Sequence, residues 1–433
     1  MRVLVVSWGD FERWKEIRYR FGDETSVGPS TLPILQKVLR PDWTVIILSD
    51  TLGRDFGSVE ALREDVRNRV MDFLERIGAG REVDIVIVPG IGEFAHGTFR
   101  GSAMDAYHYL LHRLSEIIPP QRDLDVHFDS THGLNYITLL AYRALKELLG
   151  ISAITNEVTF TAYNSDPFVP KVSRELTINT IEKSTLRPSP LDVKLPSGAK
   201  DYIANFSLSG QEYGRILKSM EELRGLISIS GALNAWIASV VHGLPLVFAS
   251  YYPEQKTVEK ALEEVLNTYL ENVRILEDKE GGRKKVERSL SLGEGFGVLA
   301  RMAYQMKVLR RTNLPKKELS IEELKEITDG VFKGRIREST RTELHRLASS
   351  VKIDTNGWIR YSELLRMMGK NPNPQVDPRN FLAHAGLEAN LIEVKRKGEL
   401  YVRYATEKVL YGGKPVEPDR VVASILTRSL EVT

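Results

Sequence analysis

The sequence predicts an α/β domain built on a doubly wound parallel sheet, followed by an all-α domain. Short β-branched runs alternate with amphipathic helical stretches up to about residue 150, and helical periods dominate after about residue 205. Between these patterns, residues 184–200 are rich in proline and serine, which is typical of a linker. We therefore place the first domain at residues 1–195 and the second at residues 205–433.

Four runs in the first domain are predicted strands. Each is nearly all apolar, as expected for parallel strands that helices cover on both faces. They are RVLVVSW (2–8), WTVIILS (43–49), VDIVIVP (83–89) and LDVHFDS (124–130).

Three amphipathic segments of the first domain are predicted helices. Ser58 is a predicted N-cap, and Gly150 is a predicted helix stop. The segments are SVEALREDVRNRVMDFLERIG (58–78), GSAMDAYHYLLHRLSEII (101–118) and LNYITLLAYRALKELLG (134–150). Strands and helices alternating at this spacing predict the doubly wound sheet.

After residue 150 the alternation of strands and helices ends. Alternating segments on both sides of Asn-Ser-Asp-Pro, within residues 151–195, predict an antiparallel hairpin added at the sheet edge. LIEVKRKGELYVRYA (391–405) predicts a second hairpin that turns at Lys-Gly, and EDKEGGRKKVER (277–288) is interpreted as a charged loop. Helices are predicted at 209–227, 230–243, 257–277, 297–311, 320–332 and 420–432.

Composition excludes several kinds of site and partner. The chain has no cysteine, which excludes disulfides, thiolate catalysis and zinc sites with Cys ligands. Its 60 basic and 58 acidic residues give a formal charge of +2, so a nucleic-acid partner would have to be held in a local groove. No apolar run of about 18 residues is present, and MRVLVVSWGD enters a strand directly, so we expect a soluble cytoplasmic protein without a membrane partner.

The carboxyl ends of the predicted strands form a polar rim. Ligands of open α/β sheets bind beyond these ends, although Gly, Ser and Asp are also common in ordinary turns. The four ends read Ser7-Trp8-Gly9-Asp10, Ser49-Asp50-Thr51, Pro89-Gly90-Ile91-Gly92 and Asp129-Ser130-Thr131-His132-Gly133-Leu134-Asn135. GIGEFA, at residues 90–95, also fits a dinucleotide fingerprint, with Asp50 as a possible ribose ligand, but it follows the third strand.

The segment DSTHGLN resembles the signature after the fourth strand of CARF domains, the Rossmann-like sensors associated with CRISPR systems. Asp129, Thr131, Gly133 and Asn135 occupy the matching positions. The resemblance implies a cyclic oligoadenylate ligand, most readily cyclic tetra-adenylate, held by polar groups after the first and fourth strands. On this analogy the ligand-binding candidates are Ser7, Trp8, Asp50, Gly90, Asp129, Thr131, His132, Gly133 and Asn135. Trp8 would stack on an adenine, and Gly133 would let the backbone approach a phosphate.

A second cluster of chemically active residues follows Asp377-Pro378, which predicts a helix start. Arg379, Asn380 and His384 then fall in its first two turns, with Arg379 and His384 separated by roughly 140° around the helix. The spacing R-x-x-x-x-H is common by chance, and a surface arginine with a tolerated histidine is the alternative interpretation.

RNFLAH resembles the R-[N/H/D]-x-x-x-H element of HEPN ribonucleases. Together with the sensor-like first domain, it identifies a resemblance to the CARF-HEPN accessory ribonucleases of type III CRISPR systems, the Csx/Csm group, which act in antiviral defence. The resemblance implies a CARF domain at 1–195 and a HEPN domain at 205–433, with Arg379, Asn380 and His384 as catalytic residues.

The same resemblance implies an allosteric, metal-independent endoribonuclease that cleaves single-stranded RNA. Because an imidazole titrates near neutral pH and a guanidinium can bind two phosphate oxygens, His384 and Arg379 suit this chemistry. Members of the family are homodimers or higher even oligomers in which two copies of the motif meet. No cofactor and no metal are expected, and the activator would be the cyclic oligoadenylate.

Three other interpretations stay open at the level of sequence. CARF domains also occur fused to winged helix-turn-helix domains, and residues 344–370 are the one candidate here for such a DNA-binding transcriptional regulator. A nucleotide-dependent enzyme with an unrelated helical domain is another. His108 and His112 have the i, i+4 spacing of helical metal sites, but HExxH-type chemistry would need a glutamate between them.

Overall fold

The structure, a computed structural model, describes residues 1–80, 82–133, 135–277 and 283–430. It divides the chain into two compact units that are not contiguous in sequence. The first unit comprises Met1–Arg187, Ala199–Met220 and Leu262–Tyr304, and the second comprises Pro188–Gly198, Glu221–Ala261 and the chain from Gln305 onward. Two segments after residue 195 therefore pack with the first unit, whereas the sequence-based division was contiguous.

The first 187 residues contain a large sheet and the helices that cover it. The strands are β1 Arg2–Ser7, β2 Ile17–Phe21, β3 Glu24–Gly28, β4 Trp43–Ser49, β5 Val83–Val88, β6 Gly92–Phe94, β7 Gly97–Arg100, β8 Leu124–Asp129, β9 Val158–Ser165 and β10 Glu175–Thr185. The helices are α1 Leu32–Leu39, α2 Val59–Arg76, α3 Met104–Ile117 and α4 Asn135–Ser152.

The large sheet has the strand order β3-β2-β10-β9-β8-β1-β4-β5. β1 lies inside the sheet and pairs in parallel with both β4 and β8. Leu4 and Val6 of β1 pack in one core with Leu35 of α1 and Val66 of α2. The four predicted strands and the doubly wound sheet are thus confirmed, because strands covered on both faces need no polar side.

The predicted hairpin at 151–195 is confirmed as a strand pair, but it is not the sheet edge. β9 runs parallel to β8, β10 runs antiparallel to β9, and β10 then pairs with β2. A second hairpin, β2–β3, extends the sheet further. The sequence contains a pattern that predicts β2, since Ile17, Tyr19 and Phe21 alternate with arginines. These three side chains point toward the core.

Of the two helix ends predicted from single residues, the start at Ser58 agrees with the structure and the end at Gly150 does not. The Ser58 side chain accepts a hydrogen bond from the Ala61 amide, which confirms the predicted N-cap of α2. The prediction that Gly150 ends α4 is wrong, because the helix continues to Ser152. Burial of Leu149 and Ile151 on either side offsets the modest cost of a helical glycine.

The rest of the chain is mainly helical, with short strands between the helices. Its first part contains β11 Ile203–Asn205, α5 Gly210–Ser219, α6 Glu221–Ser228, α7 Ser230–His242, α8 Pro245–Ser250, α9 Gln255–Glu271, β12 Val273–Glu277, β13 Lys284–Arg288, β14 Leu290–Leu292 and α10 Glu294–Val308. Its second part contains β15 Leu319–Ser320, α11 Ile321–Val331, α12 Gly334–Ser350, β16 Ile359–Arg360, α13 Tyr361–Met367, α14 Pro378–Ala383, β17 Ile392–Lys397, β18 Glu399–Tyr404, β19 Val409–Tyr411, β20 Lys414–Val416 and α15 Pro418–Ser429.

Residues 273–288 differ most from the sequence-based prediction. The predicted helix over 257–277 ends at Glu271, and β12 follows it. The predicted charged loop at 277–288 contains β13, which pairs with β12 and, in parallel, with β7. Residues 278–282 lie outside the described part of the chain.

The predicted hairpin at 391–405 is confirmed as β17 and β18, which turn at Gly398 with a φ of +74°. β15 and β16 extend this hairpin to a small sheet of the second unit. The predicted helix at 420–432 is confirmed as α15 up to Ser429, and residues 431–432 lie outside the described part.

Among the described residues, no single helix has the length and apolar character needed to cross a membrane. α6 and α7 meet the length and composition criteria only when taken together, and they are bent by 62° at their junction.

Candidate functional sites

The loop after β8 is held in place by Asp129, which is buried. Its carboxylate accepts hydrogen bonds from the Oγ1 atoms of Thr31 and Thr131, both at 2.6 Å, and from the Thr131 amide at 3.1 Å. Thr131 Oγ1 in turn accepts a hydrogen bond from the Ser165 amide on β9. Asp129 therefore fixes the conformation of the loop, and Thr131 is the member of the pair that borders a cavity.

Ser7 and Gly133 are packed against each other. Ser7 is buried, and its Oγ lies 3.1 Å from Thr138 Oγ1 on α4. A Cβ atom on Gly133 would lie 1.8 Å from Thr138 Oγ1 and 2.9 Å from Ser7 Oγ. Gly133 is thus required for close approach of the loop to α4 and β1. Asn135 begins α4, and its side chain lies outside what the structure describes.

A cavity of about 380 Å³ opens beside this loop in the first unit, a size within the usual range of small-ligand pockets. We call it the loop cavity. Aromatic, cationic and polar side chains line it: Arg13, Trp14, Lys15, Tyr19, Thr131, His132, Asn164, Ser165, Asp166 and Phe168, with apolar residues between them. This combination can stack on flat rings and attract anionic groups.

His132 contacts three neighbouring residues at the loop cavity. Its ring stacks on Trp14 with centroids 4.1 Å apart and an interplanar angle of 28°. The Thr31 amide donates to Nε2 at 3.4 Å, and the Tyr19 hydroxyl lies 3.3 Å from the same atom. Burial lowers the pKa of His132, and the charge of Asp129 opposes this only in part. A neutral ring whose Nε2 accepts a hydrogen bond carries its proton on Nδ1.

Trp8 does not reach the loop cavity. It is 1% exposed and meets Trp14 and Phe73 edge-on, with ring centroids 5.3 and 5.6 Å away. The prediction that Trp8 stacks on a base is therefore wrong. Trp14, six residues later and half-buried, is the tryptophan that lines the cavity.

Asp50 and Gly90 also differ from their predicted role, because both belong to a buried ion-pair cluster. Asp50 Oδ2 accepts from Arg288 at 2.6 Å, and Asp50 Oδ1 accepts from the Gly90 amide at 2.8 Å. Arg288 is 1% exposed and also donates to the Gly90 carbonyl at 2.7 Å. Burial alone would lower the pKa of Arg288, but the charge of Asp50 keeps it above its ordinary value. These contacts leave neither Asp50 nor Gly90 for a ligand.

The dinucleotide interpretation of residues 90–95 is wrong. That fingerprint requires the glycines to open a helix, but here Gly92–Phe94 forms strand β6.

The Asp377-Pro378 helix start is confirmed. Asp377 is the N-cap of α14, and its carboxylate accepts from the amides of Arg379 at 2.8 Å and Asn380 at 3.4 Å. The helix is shorter than expected and ends at Ala383, so His384 is its C-cap residue. Ala385 and Gly386 follow with φ values of +53° and +79°, which turn the chain out of the helical path.

His384 and Asn380 line a second cavity of about 380 Å³, which we call the motif cavity and which lies in the second unit. Arg346 and Lys370 also border it, and the Lys370 ammonium has no ion pair among the described residues. Arg379 is exposed on the same short helix but is not among the residues that line the cavity. A single chain therefore brings Asn380 and His384 together and leaves Arg379 outside, as the predicted angular separation implies.

His384 has a partner that the motif does not contain. Its Nδ1 lies 2.9 Å from Oε2 of Glu343, which is on α12. Sequence reasoning missed Glu343 because 41 residues separate it from His384 and no local pattern connects them. Only the fold brings this carboxylate next to the imidazole.

The helical pair His108 and His112 does not form a joint site. His108 Nδ1 bonds the Leu292 carbonyl at 2.7 Å, and burial lowers the pKa of His108 to about 4. The His112 ring instead meets Phe296, with centroids 5.8 Å apart. Across the described residues, no group of three or more His, Cys, Asp or Glu is arranged to hold a metal ion.

Two family models match the chain. Residues 3–167 match the model described as "CRISPR system endoribonuclease Csx1, CARF domain", and residues 318–407 match "CRISPR system endoribonuclease Csx1, HEPN domain". The first match contains the loop cavity residues up to 167, and the second contains the motif cavity. The second match also contains residues 344–370, which assigns that segment to a HEPN domain and not to a DNA-binding unit.

A curated relative matches over most of its length. The CRISPR system endoribonuclease Csx1 of Methanocaldococcus jannaschii is 30% identical over 417 residues, which cover 91% of this chain and 86% of the relative.

Proposed function

Since the chain belongs to the family of CRISPR system Csx1 endoribonucleases, whose CARF and HEPN domains it contains, we propose that it cleaves single-stranded RNA at the motif cavity and that a cyclic oligoadenylate bound in the loop cavity activates it. The setting would be antiviral defence by a type III CRISPR system. The observation that carries the proposal is the convergence of Asn380 and His384 in a cavity that Arg346 and Lys370 also border.

The residues of the motif cavity suit cleavage without a metal ion. RNA carries its own nucleophile, so the reaction needs a proton acceptor, a proton donor and a cation near the phosphate. The 2′-oxygen attacks phosphorus, a P–O2′ bond forms and the P–O5′ bond breaks. A base takes the 2′-hydroxyl proton and an acid delivers a proton to the O5′ leaving group, giving a 2′,3′-cyclic phosphate and a 5′-hydroxyl.

We assign roles by the chemistry of each side chain. An imidazole exchanges protons near neutral pH, so His384 is the acid–base residue. Arg379 is permanently charged and can contact two phosphate oxygens, so it stabilises the charge that develops on the phosphate. Asn380 borders the same cavity and orients the substrate, and Lys370 and Arg346 attract neighbouring phosphates.

A homodimer would complete this site. One chain supplies one imidazole and one guanidinium, but the reaction needs both an acid and a base. Two chains related by a two-fold axis would supply two of each at a shared seam. Exposure of Arg379 outside the cavity of its own chain supports an arrangement in which it serves a site shared with the second copy.

The loop cavity suits a cyclic oligoadenylate activator by its chemistry. Trp14 and Phe168 provide rings for adenine stacking, and Arg13 and Lys15 provide charge for the phosphates. Cyclic tetra-adenylate has a two-fold axis and would fit a pair of such cavities in a dimer. Ligand binding then shifts a two-state equilibrium toward the active dimer, and RNA binding must strengthen activator binding in return.

The test is single-turnover cleavage of a labelled single-stranded RNA in EDTA, with and without cyclic tetra-adenylate. We expect cleavage in chelator that rises with the ring, leaves 2′,3′-cyclic phosphate ends and is lost in His384→Ala. Cleavage that requires Mg²⁺, or that His384→Ala retains at the wild-type rate, would refute the proposal.

A further inference from the structure

Glu343 contacts Nδ1, one of the two ring nitrogens of His384. Glu343 Oε2 lies 2.9 Å from Nδ1, and the carboxylate is 18% exposed while the imidazole is 36% exposed. Both residues line the motif cavity. The contact is thus a partly buried hydrogen bond inside the candidate site.

The chemistry of the two groups fixes the direction of this hydrogen bond. An ionised carboxylate can only accept, so Nδ1 must carry the hydrogen. In the neutral ring this leaves Nε2 with a free lone pair. The contact therefore selects the tautomer in which Nε2 is the nitrogen available to take a proton from RNA, and it also favours the imidazolium that forms afterwards.

Buried residues fix the position of α12, the helix that carries the Glu343 carboxylate. Thr340, Leu344 and Leu347 of this 17-residue helix are buried, and Thr340 Oγ1 donates to the Gly243 carbonyl at 2.9 Å. His384, by contrast, follows a six-residue helix and precedes two residues with positive φ. A side chain at such a position needs an external contact to hold its ring orientation.

Among the described residues, Arg346 is a second cation beside Glu343, and it competes weakly with His384. Arg346 Nη1 is 3.7 Å from the same carboxylate oxygen, and the Arg346 side chain is 67% exposed. An exposed i, i+3 pair of this length contributes little, so His384 is the main partner of the carboxylate.

On the basis of the proposed function, we infer that Glu343 is a positioning residue of the ribonuclease site, which holds the His384 imidazole so that Nε2 faces the RNA. It acts through His384 and has no direct contact with the reacting atoms. General acid–base catalysis contributes about 10²–10⁴-fold, so loss of its orientation should remove part of that factor.

The experiment measures kcat and KM for RNA cleavage by the full-length protein in saturating cyclic tetra-adenylate. In Glu343→Gln the amide can also donate, so the tautomer is no longer fixed, and we expect kcat to fall about 10- to 100-fold with KM within about two-fold. Glu343→Asp keeps an accepting carboxylate and should recover part of the rate. Glu338→Gln is the matched control, because Glu338 is on the same helix, exposed, and paired only with its neighbour Arg337 among the described residues.

A wild-type kcat in Glu343→Gln, a loss confined to KM, or a Glu343→Asp variant no faster than Glu343→Gln would overturn the inference. Thermal melting of each variant checks that the fold is intact. His384→Ala, assayed in the same experiment, distinguishes failure of the positioning role from failure of the proposed site. If His384→Ala is inactive while Glu343→Gln is fully active, the positioning role alone fails. If His384→Ala is fully active, the proposed site itself fails.

Discussion

Arg379 and His384 are five positions apart, yet they have different surroundings. His384 is half-buried and bonded to Glu343, whereas the guanidinium of Arg379 is exposed and has no partner among the described residues. An unpaired, always charged group beside a candidate site is free to meet a phosphate without breaking an existing contact. Because of this difference, substituting the exposed Arg379 breaks no contact among the described residues, whereas substituting His384 removes its hydrogen bond to Glu343.

Arg379→Ala should therefore lower activity without lowering stability. Removing a group that stabilises developing charge costs about 10²–10³-fold in kcat, and we expect a loss of that size. Exposed substitutions change stability by about 0.5 kcal/mol or less, so the melting curve should stay in place. Single-turnover cleavage and thermal unfolding are the measurements, with Arg335→Ala, an exposed arginine at the start of α12, as the control. An active Arg379→Ala would exclude the arginine from the reaction.

Residue-level reasoning from sequence succeeded where local chemistry decides the outcome. Asp377 was predictable as an N-cap because its side chain bonds amides only two and three residues away. Trp8 and Trp14 were not distinguishable, since both lie near the end of β1 and only tertiary packing places Trp8 in the core. Glu343 could not be predicted as a partner of His384 either, because only tertiary packing brings the two side chains together.

At the scale of elements, the pair β12–β13 contains a buried arginine that its sequence does not predict. The run from 277 to 288 is so highly charged that it was interpreted as a loop, yet its last residue, Arg288, is fully buried. Arg288 reaches Asp50 at the end of β4 and the Gly90 carbonyl after β5. A buried arginine is stable only when it is paired, so the position of Arg288 depends on Asp50. About 240 residues separate the two, and no local sequence pattern predicts the pair.

Arg288→Met should destabilise the first unit strongly. It leaves the Asp50 carboxylate buried without its partner, which typically costs about 3–5 kcal/mol of unfolding free energy. Replacing both groups, as in Asp50→Asn with Arg288→Met, should cost less than the sum of the single changes because no buried charge of that pair remains. Equilibrium urea unfolding measures these differences. The control is Arg274→Met on β12, where the arginine is exposed, and equal stability of the two methionine variants would contradict the account.

At the scale of the whole molecule, the order of elements was more predictable than the division into units. Alternating strands and helices up to residue 150 predicted the doubly wound sheet correctly, because covered parallel strands have a strong apolar signal. The two units interleave along the chain, with Ala199–Met220 and Leu262–Tyr304 in the first. Composition changes indicate a linker, but they do not indicate which unit a later segment rejoins.

The proposed activation involves both units, because occupancy of the loop cavity would set the rate of cleavage at His384. Lys15 is exposed and lines the loop cavity, so Lys15→Glu should repel an anionic ring without disturbing the core. Trp14→Leu removes a stacking surface worth about 1–3 kcal/mol per base and provides a second variant. Arg67→Glu, on the exposed face of α2, is the matched charge control.

The most direct measurement is the rate of RNA cleavage as a function of cyclic tetra-adenylate concentration in wild type and in these variants. We expect Lys15→Glu and Trp14→Leu to move the midpoint of activation to at least about ten-fold higher ring concentration, a change of about 1.4 kcal/mol. The rate at saturation should stay unchanged, and Arg67→Glu should behave as wild type. A cleavage rate that does not respond to the ring, or a midpoint that neither variant moves, would contradict the proposed activation.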